Sequence, residues 1–288
     1  MTPRSTKDEP DFIQRGIYRS NPAGTLTFIG LRSLDAVLQY KLLSGWGTSL
    51  LSFAGIRCVT TSAALPRGPI GAMINRVLSL GLDLGASGSV GLPDTHLLML
   101  AMSAGCAAKQ IYWLTRLSRE EFLPSAACWV SLINSLTNSL NTFLFLSAAT
   151  SSLLSFPSSL NPRTNQTQLP RNMIIGATLY AIGIALETGS EVQRFAFKDD
   201  PTNKMKVMRS GLWGWVRHPN FLGYVLWRVG YNFASSGFVS ALIVGGWQAF
   251  DFAARVIPVM NRYCRAKYGE QWVRYQKEVC WALFPGIF

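Results

Sequence analysis

The sequence is short of charge, of histidine and of any paired cysteine spacing. Charged residues make up only 15% of its 288 residues, against about 25% in an average soluble domain. The chain has two histidines, and its five cysteines (Cys58, Cys106, Cys128, Cys264 and Cys280) show no Cys-x-x-Cys spacing. No metal centre and no disulfide framework are therefore expected, and the cysteines read as free thiols. HExxH and GxSxG are absent, so neither a zincin nor a nucleophile-elbow hydrolase is expected. The run Gly81–Gly91, GLDLGASGSVG, has spaced glycines but no preceding strand and no GxGxxG, and reads as a turn or close-packed segment. The first fifteen residues are polar and the first twenty contain no apolar core, so no cleavable signal peptide is expected. There is no internal repeat.

What the chain has in quantity is apolar residues, 49% of the total, and they are clumped. A spanning helix needs about 20 mostly apolar residues. Six segments qualify, at roughly 22–43, 95–115, 125–155, 171–188, 219–236 and 238–257, although the first carries Arg32 and Asp35. A Gly-rich apolar run at about 70–92 is a short or re-entrant helix or a seventh span. The expected fold is all-α, a polytopic membrane bundle with 6–7 transmembrane helices. The net charge of +12 fits this layout better than a nucleic-acid partner. With six spans and both termini in the cytosol, cytosolic segments 1–21, 116–124, 189–218 and 258–288 carry 17 of the 27 Lys/Arg, and the opposite side carries 4. The endoplasmic reticulum membrane is the expected location in a eukaryote. Asn165-Gln166-Thr167 is a compatible glycosylation triplet in the loop FPSSLNPRTNQTQLP.

Chemistry concentrates after residue 186. Glu187 and Glu191 are four apart and share one helix face. At a membrane boundary they are solvated or functional. A basic stretch follows: Arg194, Lys198, Lys204, Lys206, Arg209 and Arg217. Positive-inside topology accounts for such charges, and so does an anion site. A phosphorylated dinucleotide such as NADPH needs that cluster, whereas S-adenosylmethionine, without phosphate, does not. Next comes Gly211–Gly223, GLWGWVRHPNFLG. Pro219 suits the first position of a helix. Arg217 and His218 then stand beside its free N–H groups, where an anion is favoured. In the tail, Trp272, Tyr275 and Trp281 alternate with Arg265, Lys267, Arg274 and Lys277, as in an interfacial helix or a lid over a cofactor.

GLWGWVRHPNFLG resembles the Gly-Leu-Trp…Arg-His-Pro-Asn-Tyr-x-Gly signature of a membrane superfamily. That superfamily contains the steroid 5α-reductase-like proteins, the sterol C14 and C24 reductases and the isoprenylcysteine carboxyl methyltransferases. The preceding SEVQRFAFKDDPTNKMK is similar to the steroid 5α-reductase-like branch, and the tail YCRAKYGEQWVRYQKEV…FPGIF to the sterol reductase ending. The resemblance covers about residues 185–288. It implies a cytosolic C-terminal region that binds cofactor, a polar N-terminus at 1–21, and helices over 22–184 that shape the substrate cavity. It also implies hydride transfer from NADPH to an activated C=C bond of a lipophilic substrate, such as a sterol, a terpenoid or a polyketide-like enone, that enters from the bilayer. By position, Lys198, Asn203, Lys204, Arg217, His218, Asn220 and Trp272 correspond to cofactor contacts, with Tyr268 and Tyr275 as further ones. Tyr224, Tyr231, Glu187 and Glu191 are the candidates for polarising the substrate or supplying the proton. The chain departs from the pattern at Phe221, where the signature has Tyr, at Tyr224, where reductases carry an acid, and at Asn261-Arg262, where both branches carry acids. An S-adenosylmethionine-dependent methyltransferase and a non-catalytic lipid-binding scaffold of the same fold remain the alternatives.

Overall fold

The computed structural model describes residues 17–58, 92–147 and 169–288. The apolar run at 70–92 and the Asn165 triplet lie outside the described residues, apart from Leu92. The described part is helical: α1 (Pro22–Lys41), α2 (Gly47–Phe53), α3 (Asp94–Tyr112), α4 (Pro124–Leu146), α5 (Arg171–Asp199), α6 (Pro219–Ser236), α7 (Phe238–Asp251), α8 (Ile257–Tyr268) and α9 (Glu270–Glu278). Single π-helical segments follow α1, α3 and α7, at Leu42–Trp46, Trp113–Leu117 and Phe252–Val256.

The polarity of the bundle is inverted relative to a soluble one. Helix α4 turns Ser131, Asn134, Asn138, Asn141 and Thr142 inward, while Trp129, Leu132, Ile133, Leu136 and Leu140 face out. Helix α7 exposes Phe238, Val239, Leu242, Ile243, Trp247 and Phe250. Water would penalise an apolar band of that size, whereas lipid does not. The chain is an all-α membrane bundle. Three helical stretches are long and apolar enough to cross a bilayer by length and composition: Asp94–Leu117, Arg171–Asp199 and Phe238–Tyr268. The other expected segments form α1, α4 and α6, whose polar residues lower their hydropathy and are spent inside.

Arg32 and Asp35, the oddity of the first segment, show how. Both are buried, and Arg32 donates to Asp35 Oδ2 at 2.8 Å. Asp35 also accepts from Asn138 at 2.8 Å and from Gln39 at 3.2 Å, and Thr142 donates to Gln39 Oε1 at 2.7 Å. In hydrocarbon such groups must find partners within the protein, so the network fixes α1 against α4.

Helices α5 and α6 pack through glycines one heptad apart. A Cβ on Gly183 would lie 2.3 Å from Trp227 N, and one on Gly223 would lie 2.4 Å from Glu187 N. Gly176 and Gly230 repeat the arrangement seven residues along. The backbones meet because neither helix has a side chain at the crossing.

Helix α5 continues beyond the span expected at 171–188 to Asp199, which carries Glu187, Glu191 and Lys198 on one continuous helix. The basic segments gather at that end. Glu121 N donates to Ile17 O at 2.9 Å, Arg119 pairs with Asp199, and Arg217 Nη1 donates to Cys280 O at 2.7 Å. Parts of all four Lys/Arg-rich segments are thus brought to one end of the bundle.

Candidate functional site

At this end, where α3 and α5 finish and α4 and α6 begin, the bundle encloses a cavity of about 880 Å³. Its wall contains two of the π segments, through Trp113 and Leu114 and through Phe252 and Val256. Such bulges redirect side chains where a regular helix would not.

The glutamates are the cornerstones of the wall. Glu187 accepts from Lys109 Nζ at 2.5 Å and from Trp227 Nε1 at 2.6 Å. Glu191, one turn on, pairs with Arg194 and accepts from Asn220 Nδ2 at 2.8 Å and Trp113 Nε1 at 3.2 Å. Each carboxylate therefore holds a cation, Lys109 of α3 for Glu187 and Arg194 of the same helix for Glu191, and an indole from outside α5. Both line the cavity, but both are committed to ion pairs, and their observed work is to tie α3 and α6 to α5.

The signature segment and the tail form one unit. Gly211, at φ +61, turns the chain so that Leu212 N donates to Gln193 Oε1 at 3.0 Å and Trp213 Nε1 to Ser190 O at 2.9 Å. Pro219 opens α6 and His218 is its N-cap residue. Arg217 N and His218 N donate to Trp281 O and Ala282 O. The Arg217 side chain donates to Val279 O at 2.9 Å and Cys280 O at 2.7 Å. Tyr275 closes the unit by donating to Trp213 O at 2.7 Å, and burial pushes its phenol well above the ordinary value. His218 is 3% exposed. Burial, with the Arg217 charge adding to it, pushes its pKa down to about 3, so the imidazole is neutral. Its ring stacks on Phe221 at 5.1 Å, which in turn stacks on Phe252 at 4.7 Å. The missing hydroxyl at Phe221 is thus replaced by an apolar stack.

The lining is strongly cationic, with nine lysines and arginines against four carboxylates. Lys109, Arg194 and Arg255 pair with Glu187, Glu191 and Asp251. Lys198, Lys206 and Lys267 form no direct ion pair among the described residues; Lys198 shares its corner with Arg194 and Lys267, with Glu120 acting on it more weakly, and Lys206 acts on Asp200 from a distance. Several buried polar atoms of the lining also have no hydrogen-bond partner among the described residues: His218 Nε2, Arg217 Nε, Asn220 Oδ1 and Trp272 Nε1. An excess of cations beside unused donors at Arg217 Nε and Trp272 Nε1 and an unused acceptor at Asn220 Oδ1 suits a polyanion with hydrogen-bonding groups.

Of the residues singled out from the sequence, Glu187, Glu191, Lys198, Arg217, His218, Asn220, Tyr224, Tyr268, Trp272 and Tyr275 line this cavity. Three do not. Lys204 is exposed, and Asn203 donates to Asp200 Oδ2 in a surface turn. Tyr231 is buried seven residues along α6 from Tyr224, among Met99, Met102 and Tyr180 of the bundle core. Sequence reasoning missed Lys109, Trp113, Arg228 and Asn134. Lys109 had a signal, being an ammonium inside an apolar span. Asn134 did not stand out in a helix with four polar neighbours on the same stripe.

Residues 122–279 match the profile of a family described as "Protein of unknown function (DUF1295)". A protein named probable O-methyltransferase ustE, from Ustilaginoidea virens, is 32% identical over 263 residues, which is 90% of this chain and 85% of that protein. A Delta(14)-sterol reductase of Ascobolus immersus is 29% identical over 123 residues, 37% of this chain and 28% of the reductase. A 7-dehydrocholesterol reductase of Danio rerio is 33% identical over 91 residues, 31% of this chain and 19% of that enzyme.

Proposed function

The chain belongs to the DUF1295 family, a steroid 5α-reductase-like family, and from that premise we propose that it is a membrane oxidoreductase that reduces an activated C=C bond of a lipophilic substrate with NADPH. The observation that carries this reading is the cationic surplus of the cavity, with Lys198, Lys206 and Lys267 free of ion pairs among the described residues. Phosphates match such a surface, and the sulfonium and ammonium of S-adenosylmethionine do not. The sterol reductase relatives support it over the part of the chain they share.

When bound, the cofactor supplies a hydride. The chain's residues do the rest. Lys198 and Lys267 hold anionic groups, while Trp272, His218 and Asn220 offer hydrogen-bonding atoms. Phe221, Phe252 and Tyr224 form an apolar wall against which a greasy substrate lies, and they keep water from the reacting carbon. Tyr224 is the proton donor of this reading. Glu187 and Glu191 position the walls. The substrate enters from the bilayer and the cofactor from the cytosol, with both termini cytosolic and the protein in the endoplasmic reticulum membrane if the host is a eukaryote.

A second reading, a methyltransferase that uses S-adenosylmethionine, is favoured by one observation. The relative that spans most of this chain carries an O-methyltransferase name. Thermal-shift measurements in detergent with NADPH, NADH and S-adenosylmethionine separate the two. Stabilisation by NADPH and not by S-adenosylmethionine is expected. The reverse pattern sinks the reductase and establishes the second reading.

A further inference from the structure

Arg228 is a buried cation with no carboxylate in direct contact among the described residues. It is 5% exposed and lies on the Trp227 ring, 4.4 Å from its centroid. Its Nε donates to the phenolic oxygen of Tyr224 at 3.1 Å. Its terminal nitrogens donate to Thr137 Oγ1 at 3.0 Å and Asn134 Oδ1 at 2.7 Å. All three acceptors are neutral, and Arg228 makes no ion pair among the described residues. Glu187, the carboxylate that attracts Arg228 from a distance, is already paired with Lys109. A charge left this way inside a bundle is retained against a large desolvation cost, which points to a role beyond packing.

The geometry at Tyr224 says what that role is. A phenol has one O–H to donate, and its oxygen also accepts. Arg228 occupies the accepting side, so the Tyr224 proton is directed away from Arg228. Tyr224 lines the cavity and Arg228 stands behind it.

We propose that Arg228 is a positioning residue: it fixes Tyr224 as a proton donor into the cavity and sets a positive charge behind the substrate atom that becomes negative. This rests on the reductase reading, taken with the enone substrate that the family resemblance implies; the role of Arg228 behind Tyr224 is what is new. The hydride of the reduced nicotinamide brings both electrons to the β-carbon. The C=C π bond breaks and its electron pair moves to the carbonyl oxygen, which takes the Tyr224 proton. The enol returns to the ketone by adding a solvent proton at the α-carbon and giving its O–H proton back to Tyr224. The net change is one hydride and one proton. An isolated alkene, which must first be protonated to a carbocation, is disfavoured beside Arg228.

The probe is 4-nitro-1-naphthol, a lipophilic phenol whose anion is coloured, titrated by absorbance into the full-length chain in detergent. Its oxygen mimics the developing oxyanion. The wild type is expected to lower the titration midpoint of bound dye by about 1–3 pH units relative to empty micelles. Arg228→Met and Tyr224→Phe each abolish most of that shift, and Arg228→Lys restores part of it. Tyr224→Phe keeps the ring and its packing, so it carries the test should Arg228→Met not fold. The same midpoint in wild type and Tyr224→Phe, or no shift of bound dye in the wild type, overturns the proposal. The NADPH thermal shift, measured on the same samples, is expected to survive in every variant. Its absence from the wild type, with the dye shift intact, overturns the reductase reading and the conjugated carbonyl while leaving the Tyr224–Arg228 donor pair.

Discussion

Arg217 donates to the carbonyl oxygen of Cys280 at 2.7 Å, and the same nitrogen reaches Val279 O at 2.9 Å. The arginine of the signature therefore holds the tail, and only part of its guanidinium remains for a ligand. Arg217→Ala is expected to lower thermal stability and to weaken NADPH and NADH alike, because it loosens a wall of the site. Lys198→Ala is expected to weaken NADPH more than NADH, with little loss of stability. Isothermal titration of both variants with both dinucleotides checks the contrast, and a selective loss of NADPH in Arg217→Ala would reverse the assignment. Arg217→Lys is expected to recover part of the stability, since both carbonyl bonds come from a single nitrogen and an ammonium also carries several donors.

Glu187 carries the second prediction. Its carboxylate is part-buried against Lys109 Nζ and Trp227 Nε1. Glu187→Ala leaves a buried ammonium and an indole N–H without their acceptor, at a cost of up to about 3 kcal/mol, the lower end for a buried pair because the carboxylate is part-exposed. Lys109→Met combined with Glu187→Leu removes both charges and is expected to recover most of the loss. Melting temperatures of the single and double variants in one detergent give the coupling. Additive losses would mean that the pair is not the cornerstone described above.

The helices were legible because their apolar stretches are long, and the signature marked one end of the site because Pro219 and the Lys/Arg-rich flanks are local features. Contacts between distant segments were not legible. Nothing near Lys109 announces Glu187, 78 residues away, and nothing near Tyr231 says that its turn of α6 faces the core while Tyr224 faces the cavity. Arg217 was legible as a charge at a helix start, but its acceptors are tail carbonyls, and backbone acceptors leave no trace in residue type. Asn203 and Lys204 match the family segment in sequence, yet in this structure their turn lies outside the cavity. Arg32 and Asp35 weakened the first span by composition, and only the Asn138 and Thr142 stripe of α4 explains them.

A third prediction concerns the α5–α6 crossing. A Cβ on Gly223 would lie 2.4 Å from Glu187 N, against backbone that cannot yield. Gly223→Ala must therefore separate the helices and drag Glu187 from Trp227. A loss of several kcal/mol is expected, above the usual range for an overpacked site of about 1–3 kcal/mol. Gly30→Ala is the control. It lies in α1 with nothing within 4 Å of its added carbon, and a gain of up to about 1 kcal/mol is expected from helix propensity. Equal stability of the two variants would contradict the close crossing.

The last prediction is a pH dependence. His218 is neutral in the fold because burial, and then the Arg217 charge, lower its pKa from 6.5 to about 3. Above pH 6.5 the imidazole is neutral in both folded and unfolded chains, so it makes no pH-dependent contribution. Below pH 6.5 the unfolded chain binds a proton that the folded chain refuses. Stability then falls by up to about 1.4 kcal/mol per pH unit until the folded pKa is reached. Carboxylates that titrate in the same window add their own slopes, so the informative quantity is a difference. His218→Phe keeps the stack on Phe221 and removes the titration, and it is expected to lose less stability than wild type between pH 6.5 and 4.5. Denaturation midpoints of both proteins across that window give the answer. Parallel curves would mean that His218 takes up its proton in the fold, which requires an acceptor for it beside Arg217.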